Sequence, residues 1–307
     1  MASEDAQRGG RHLHRRISGL GFNLIACVMI AVVVGPIAWV VSASFQTETE
    51  LLTKPQHFIP ERPTLDNYEY IFTGKIPTAY ETRSTLRPRV SKDARLIAPA
   101  VVNSAIVAIA VMAVNLTLGL LAAYSFARLR FRFKTLTFNF ILGSRLLPAI
   151  AVAIPFYIIV QSLGLLDTYW SMIAVYSALT LPFTIWFLSA YIANTPPEVE
   201  EAALLDGCGR LGALVRIVVP LAMPGLAAAA AFSFMASYNE FMFARFLTQS
   251  IQSQTVPVII ASIAGNPDAS YTLMSVCVTL GLIPPVLLAV FLHRRLTAGL
   301  ASSVTSR

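Results

Sequence analysis

The chain has 307 residues, 56% of them hydrophobic and 13% charged, with 23 Lys/Arg against 16 Asp/Glu and a formal charge of +7. A soluble domain carries about 25% charged residues, so this is a polytopic membrane protein whose charge must be read by side of the membrane. Nucleic-acid binding needs a basic face, but here the bases are scattered at the edges of apolar runs. Cys27, Cys208 and Cys277 offer neither a disulfide framework nor metal-ligand spacing. There is no GxxxxGK[ST] phosphate cradle and no HExxH, so any nucleotide must bind another subunit. Four scattered His and no buried carboxylate pair argue against an enzyme.

Residues 1–19, with Arg8, Arg11, Arg15 and Arg16, read as a cytoplasmic tail, expected to be disordered over 1–16. Ile17 to Thr47 is free of formal charge, longer than the roughly 20 residues a span requires. Val41-Ser42-Ala43 could pass for a signal-peptidase site, but the apolar core far exceeds a signal's, so a retained first span is placed at 20–45. Residues 46–97 form a polar external segment, within which 74–95 is basic and has no functional account. From 98 to 292 five further spans are predicted. The second, at 98–124, contains Asn103 and Ser104, which either pack against a neighbouring helix or touch substrate. The basic loop with Arg128, Arg130, Arg132 and Lys134 belongs in the cytoplasm.

The third span covers 138–163 and holds Arg145, which either snorkels, packs against a helix or serves transport. The fourth lies at 171–193 and the fifth runs from near Ala222 to Phe243 or Arg245. Glu240, on that helix's outer half, either lines the pathway or reaches water. Residues 247–268 suit an external loop with a short interfacial helix. The sixth span, 271–292, ends at His293-Arg294-Arg295 and a cytoplasmic tail over 293–307. Six spans with both termini inside satisfy the distribution of Lys and Arg.

Between spans four and five lies TPPEVEEAALLDGCGRLGALVRIVVPLAMP, residues 195–224. Thr195 and Glu198 have the spacing of a capping box with Pro196 at the first helical position, and Glu198, Glu200 and Glu201 crowd the first turn, where carboxylates suit the positive end of the helix dipole. Gly207 can take the left-handed conformation that ends a helix. A second helix over 209–218 is expected to carry Leu211, Leu214, Val215 and Val218 on one side and to stop before Pro220. A hairpin in water that shows Ala202 and Ala203 lets another protein approach closely.

The spacing Glu201-Ala202-Ala203, Gly207, Ile217, Pro220 resembles the coupling-loop signature of ABC-importer permeases. Phe58-Ile59-Pro60 with Leu65-Asp66-Asn67-Tyr68, Ile154-Pro155-Phe156-Tyr157 through Asp167-Thr168, Tyr238-Asn239-Glu240-Phe241 and Arg295 to Leu300 are similar to elements of the carbohydrate (maltose-type) branch. The resemblance implies an all-α type I permease fold with a cytoplasmic coupling hairpin at 195–220. It also implies a second permease, a pair of ATPase subunits holding ATP and Mg, and an extracytoplasmic solute-binding protein. In that reading Glu201 contacts the ATPase, Ala202 and Ala203 permit close packing, and Gly207 sets the bend. The solute would be a sugar, oligosaccharide, polyol or glycerol-phosphate, with Asn239 and Glu240 as pathway residues by position. An ATP-independent channel or secondary transporter, and a membrane scaffold, are the competing classes; no inverted repeat speaks for the former.

Overall fold

The computed structural model describes residues 2–76, 92–266 and 269–304, with side chains described over 23–76, 93–266 and 269–292. Most of the basic stretch at 74–95, the side chains of the amino-terminal tail and those of the His293-Arg294-Arg295 flank lie outside the described residues. Every regular element among the described residues is a helix. These are α1 (Ala2–Ala43), α2 (Glu48–Leu51), α3 (Asp66–Thr73), α4 (Ile97–Arg128), α5 (Lys134–Gly143), α6 (Ala149–Ser162) and α7 (Tyr169–Ala193). Then follow α8 (Pro197–Leu205), α9 (Arg210–Leu221), α10 (Met223–Tyr238), α11 (Met242–Leu247), α12 (Val256–Ala264) and α13 (Tyr271–Val304).

Helix is the outcome these apolar runs impose, because in hydrocarbon a helix satisfies its own backbone. Among the described residues four helical stretches are long and apolar enough to cross a membrane: Asn23–Ala43, Asp93–Arg128, Tyr169–Ala193 and Tyr271–Leu292. Two bent helix pairs pass the same test together, α5 with α6 at 99° and α9 with α10 at 82°. The expected count of six is reached only with these bends. The third span turns where Ser144-Arg145-Leu146 tightens into a 3-10 turn before Pro148, and proline cannot continue the helical ladder. The fifth span's helix ends at Tyr238, short of the expected Phe243 or Arg245, and restarts as α11.

The chain forms two compact units, Met1–Val90 with Asp268–Thr279, and Ser91–Pro267 with Leu280–Arg307. In the smaller unit the segment after α1 folds about that helix's end. Asn67 Nδ2 donates to the carbonyls of Ser44 (3.2 Å) and Gln46 (2.8 Å), and Trp39 packs edge-on against Phe58 at 5.0 Å. The Glu48 carboxylate receives the backbone N–H groups of Tyr271 and Thr272, both at 3.1 Å, and so caps the start of α13.

In the larger unit α4 packs along α7 and against α10. One apolar cluster joins Val107, Val111, Met172, Tyr176, Phe243 and Leu247; a second, toward the hairpin, joins Ala123, Tyr124, Leu188, Ile192, Leu214 and Val218. Midway along α4, buried Asn115 donates to Thr180 Oγ1 at 2.6 Å and Ser233 Oγ at 3.3 Å, tying all three helices with side-chain hydrogen bonds. The α12 helix, expected at an interface, instead buries Val256, Val258, Ile259 and Ile263 and packs on α4.

Close approach of α4 and α7 depends on Gly119, where an added Cβ would lie 2.8 Å from Thr184 Cγ2. Thr184 is β-branched and stiff, so Gly119→Ala is expected to destabilise by ~1–3 kcal/mol through overpacking. Gly35→Ala, with nothing within 4 Å of the new Cβ, should leave stability unchanged or raise it. Thermal unfolding of the two detergent-purified variants checks this ordering, and equal melting points would contradict it.

Candidate functional site

The hairpin is built from α8, a four-residue turn and α9. Its first helix starts one residue later than the capping-box spacing predicts. Pro196 occupies the N-cap, Pro197 follows, and no side chain caps the helix. The Thr195 hydroxyl is spent in the other direction, donating to Ile192 O at 2.5 Å and closing α7. Gly207 behaves as expected: at φ +83° it terminates α8. The N–H of Cys208 reaches Ala203 O at 3.0 Å and that of Gly207 reaches Leu204 O at 3.2 Å, a Schellman closure.

The second helix departs further from expectation. Leu214 and Val218 are buried, whereas Leu211 and Val215 are exposed, so the four apolar residues divide between two faces. Each pair is spaced i, i+4, and the pairs are offset by three residues, which left the sequence pattern compatible with one broad stripe. The helix also passes Pro220 and ends at Leu221, because a π-turn over Leu214–Val218 shifts the bonding register just before the proline.

Two faces of α8 are now distinct. Glu200 is buried at 5% exposure, and Ala203 and Leu204 are half-buried beneath it. Glu201, Ala202 and Leu205 point away from the bundle, with Leu205 90% exposed. Leu211 and Val215 of α9 are exposed as well, so the hairpin leaves one acid, one small residue and three bulky aliphatics uncovered. Ile217 is half-buried and Pro220 exposed at the hairpin's far end. The structure thus brings Glu201 and Ala202 together on the free face and turns Ala203 partly inward.

The buried Glu200 carboxylate is held from α4. Tyr124 donates its hydroxyl to Oε1, and Arg128 donates Nε to Oε2 at 2.9 Å. Arg128 Nη2 also donates to Thr195 O at 2.8 Å. Tyr124 and Arg128 are one turn apart and therefore share a face. Sequence reasoning treated Glu200 as compensation for the helix dipole. The usable signal was the helical spacing of Glu200, Ala203 and Leu204, opposite to that of Glu201, Ala202 and Leu205.

At the other end of α4, Asn103 is saturated: Nδ2 donates to Gln252 O and Gln254 O, both at 2.9 Å, and Oδ1 accepts from Tyr169 at 2.7 Å. Ser104 Oγ accepts from Val256 N at 2.9 Å. Of the two readings of this pair, the geometry is that of packing. Asn239 is exposed and bonds its own helix, donating to Met235 O at 3.0 Å. Glu240, expected on a continuous helix, lies in the break after α10. There it accepts from Phe243 N and Ala244 N, both at 3.0 Å, and so starts α11. Arg145, at the bend of the third span, donates Nη1 to Leu179 O at 2.6 Å, three residues before Pro182 of α7.

The turn between α6 and α7 carries Asp167, at φ 63° in the left-handed region that Asp tolerates. Its N–H donates to Leu247 O at 2.8 Å, while Oδ1 accepts from Gln249 N at 2.8 Å, Ser250 N at 2.9 Å and the Ser253 hydroxyl. Burial alone would push this carboxyl up. The hydrogen bonds from Ser250, Ser253 and Gln249 outweigh it and hold the group at about 2.

Residues 115–301 match the model of a family described as binding-protein-dependent transport system inner membrane component. The trehalose transport system permease protein of Mycobacterium tuberculosis is 31% identical over 272 residues, 87% of this chain and 90% of that one. The trehalose/maltose transport system permease protein of Thermococcus litoralis is 29% identical, covering 91% and 94%. The sulfoquinovosyl glycerol transport system permease protein of Agrobacterium fabrum is 29% identical, covering 87% of each chain. A chain in the crystal structure of a bacterial ABC transporter involved in import of the acidic polysaccharide alginate shares the fold, with TM-score 0.71 at 18% identity over 91% of this chain and 96% of that one.

The Asp167 clamp has a pH signature. Its folded pKa of about 2 lies below the ~3.9 of an unfolded aspartate. Its stabilisation is therefore complete above about pH 4 and is lost as pH falls toward 2. Asp167→Ala should melt below wild type at neutral pH, with a gap that stays constant down to about pH 4 and narrows beneath it. A gap that narrows already between pH 7 and 5 would refute this assignment.

Proposed function

The chain belongs to the family of binding-protein-dependent transport-system inner membrane components, and from that premise we propose that it is one permease of an ATP-driven importer for a carbohydrate-type solute. The observation that carries the proposal is the hairpin, whose free face is separated from a face locked onto the bundle. Such a face suits helix-in-groove docking into a cytoplasmic ATPase subunit. ATP and Mg belong to that subunit, since this chain has no phosphate cradle of its own. An ATPase pair offers two equivalent clefts and this chain has one hairpin, so a second permease fills the other.

The family relationship favours this reading over an ATP-independent channel or secondary transporter. The solute class follows the relatives, named for trehalose, maltose and a sulfoquinovosyl glycerol; an extracytoplasmic binding protein would deliver it. The hairpin then faces the cytoplasm of a bacterial-type inner membrane, with both termini on that side, and the break at Asn239 and Glu240 faces outward, where exposed Asn239 is available to the pathway. ATP binding draws the ATPase subunits together, and the docked hairpins carry that movement into the spans, which exchange inward-open for outward-open access.

In this mechanism Glu201 supplies the polar contact, Ala202 the close approach, Ala203 and Gly207 the shape, and Ile217 and Pro220 the return to the bundle. Ala202 gives the cleanest test, being exposed and free of local strain. Ala202→Trp should lower ATP-dependent uptake of labelled trehalose or maltose by more than about tenfold, a loss of ~1.4 kcal/mol or more in coupling, with the chain still inserted. Normal uptake by that variant, or the absence of any cross-link from Ala202→Cys to an ATP-hydrolysing neighbour, would sink the proposal.

A further inference from the structure

We propose that Glu200 is a positioning residue that transfers displacement of the hairpin directly to the second span, through Tyr124 and Arg128. This rests on the docking role proposed for the hairpin and adds the route by which movement enters the bundle.

Among the described residues of α8, Glu200 is the buried one, and it is a charged group. A helix held for stability alone buries an aliphatic, because desolvating an ion pair returns little net stability. What a buried pair does provide is a unique geometry. Each carboxylate oxygen of Glu200 has its own donor, Tyr124 on Oε1 and Arg128 on Oε2, so the carboxylate can neither rotate nor slide without losing a bond. Glu200 and Arg128 side chains are only 7% and 13% exposed, which removes the screening that weakens a surface pair. Arg128 also grips Thr195 O, where α7 passes into the hairpin. One guanidinium therefore fixes both the root and the first turn of the hairpin to the end of α4.

The receiving element is stiff. From Ile97 to Arg128 α4 is one unbroken helix, packed along α7 and against α10 and bonded to both at Asn115. From Arg128 back to Asn103 it extends about 37 Å at 1.5 Å per residue. Asn103 and Ser104 hold the 252–256 segment at the far end. The covalent connections of the hairpin lead instead into α7, which contains Pro182, and into α10 through an 82° bend. The Glu200 clamp is thus the hairpin's connection to a helix without a break.

The test uses the intact transporter, isolated through a tag on this chain and reconstituted in liposomes, with hydrogen–deuterium exchange read before and after addition of MgATP and vanadate. In wild type, exchange should change both in the hairpin, 195–220, and at the end of the second span, 120–134. In Glu200→Gln the hairpin response should persist while the 120–134 response falls about tenfold. Tyr124→Phe, which removes one hydrogen bond and leaves the ion pair, should fall between the two. The exchange of charges, Glu200→Arg with Arg128→Glu, should restore the 120–134 response above that of Glu200→Gln. A Glu200→Gln response at 120–134 within twofold of wild type overturns the clamp. So does a swapped pair no better than the single variant while the ATPase still co-purifies. A wild-type hairpin that does not respond to MgATP overturns the docking reading itself, and that outcome is distinct from the other two.

Discussion

A backbone N–H or C=O released inside a bilayer has no water to turn to, and this constraint governs where the chain places its charges and polar side chains. At several of the points where a helix ends or begins, a charged side chain takes up backbone groups. Glu240 receives two N–H groups where α10 gives way to α11. Glu48 receives two at the start of α13. Arg145 donates to a carbonyl of α7 close to Pro182. Asp167 receives two N–H groups and a hydroxyl in the turn between α6 and α7. Read as isolated ionisable residues in apolar surroundings, several of these suggest a solute or ion pathway. In place, each is spent on hydrogen bonds to backbone groups of the chain itself.

The hairpin obeys the same rule. Its turn is closed by backbone bonds around Gly207, and its root by the Thr195 hydroxyl and the Arg128 guanidinium. With these groups satisfied, Glu201, Ala202, Leu205, Leu211 and Val215 are left exposed. Exposed aliphatics at the end of a membrane bundle are unfavourable in water unless covered, and in the function proposed above the ATPase subunit would supply the cover. On that proposal, stability and coupling fall on opposite sides of a helix of nine residues.

Between the two polar ends the bundle is held by close contact more than by chemistry. Lipid tails are as apolar as leucine, so helices in a membrane associate through packing and hydrogen bonds. Gly119 lets α4 approach Thr184, and Gly225 lets α10 lie against the ring of Tyr191. Asn115 adds the central hydrogen bonds. The helices are thereby interlocked by close contact and by one central set of hydrogen bonds.

The spans and the hairpin were legible in the sequence because both depend on local count and order. A charge-free run of given length must cross the bilayer, a glycine after Asp206 can end a helix, and Glu201 to Pro220 keep a spacing that needs no knowledge of the rest of the chain. Tertiary structure decided the questions that involve distant partners. Glu200 and Glu201 are adjacent and chemically identical, and only the arrival of Tyr124 and Arg128, more than seventy positions earlier, makes one a buried anchor and leaves the other free. The same holds for Asn103, whose acceptors lie at Gln252 and Gln254. Thr195 could have capped either neighbouring helix, and Glu240 could have extended α10. In each case the outcome was fixed by which backbone groups the folded bundle left without a partner, a quantity that no single stretch of sequence contains.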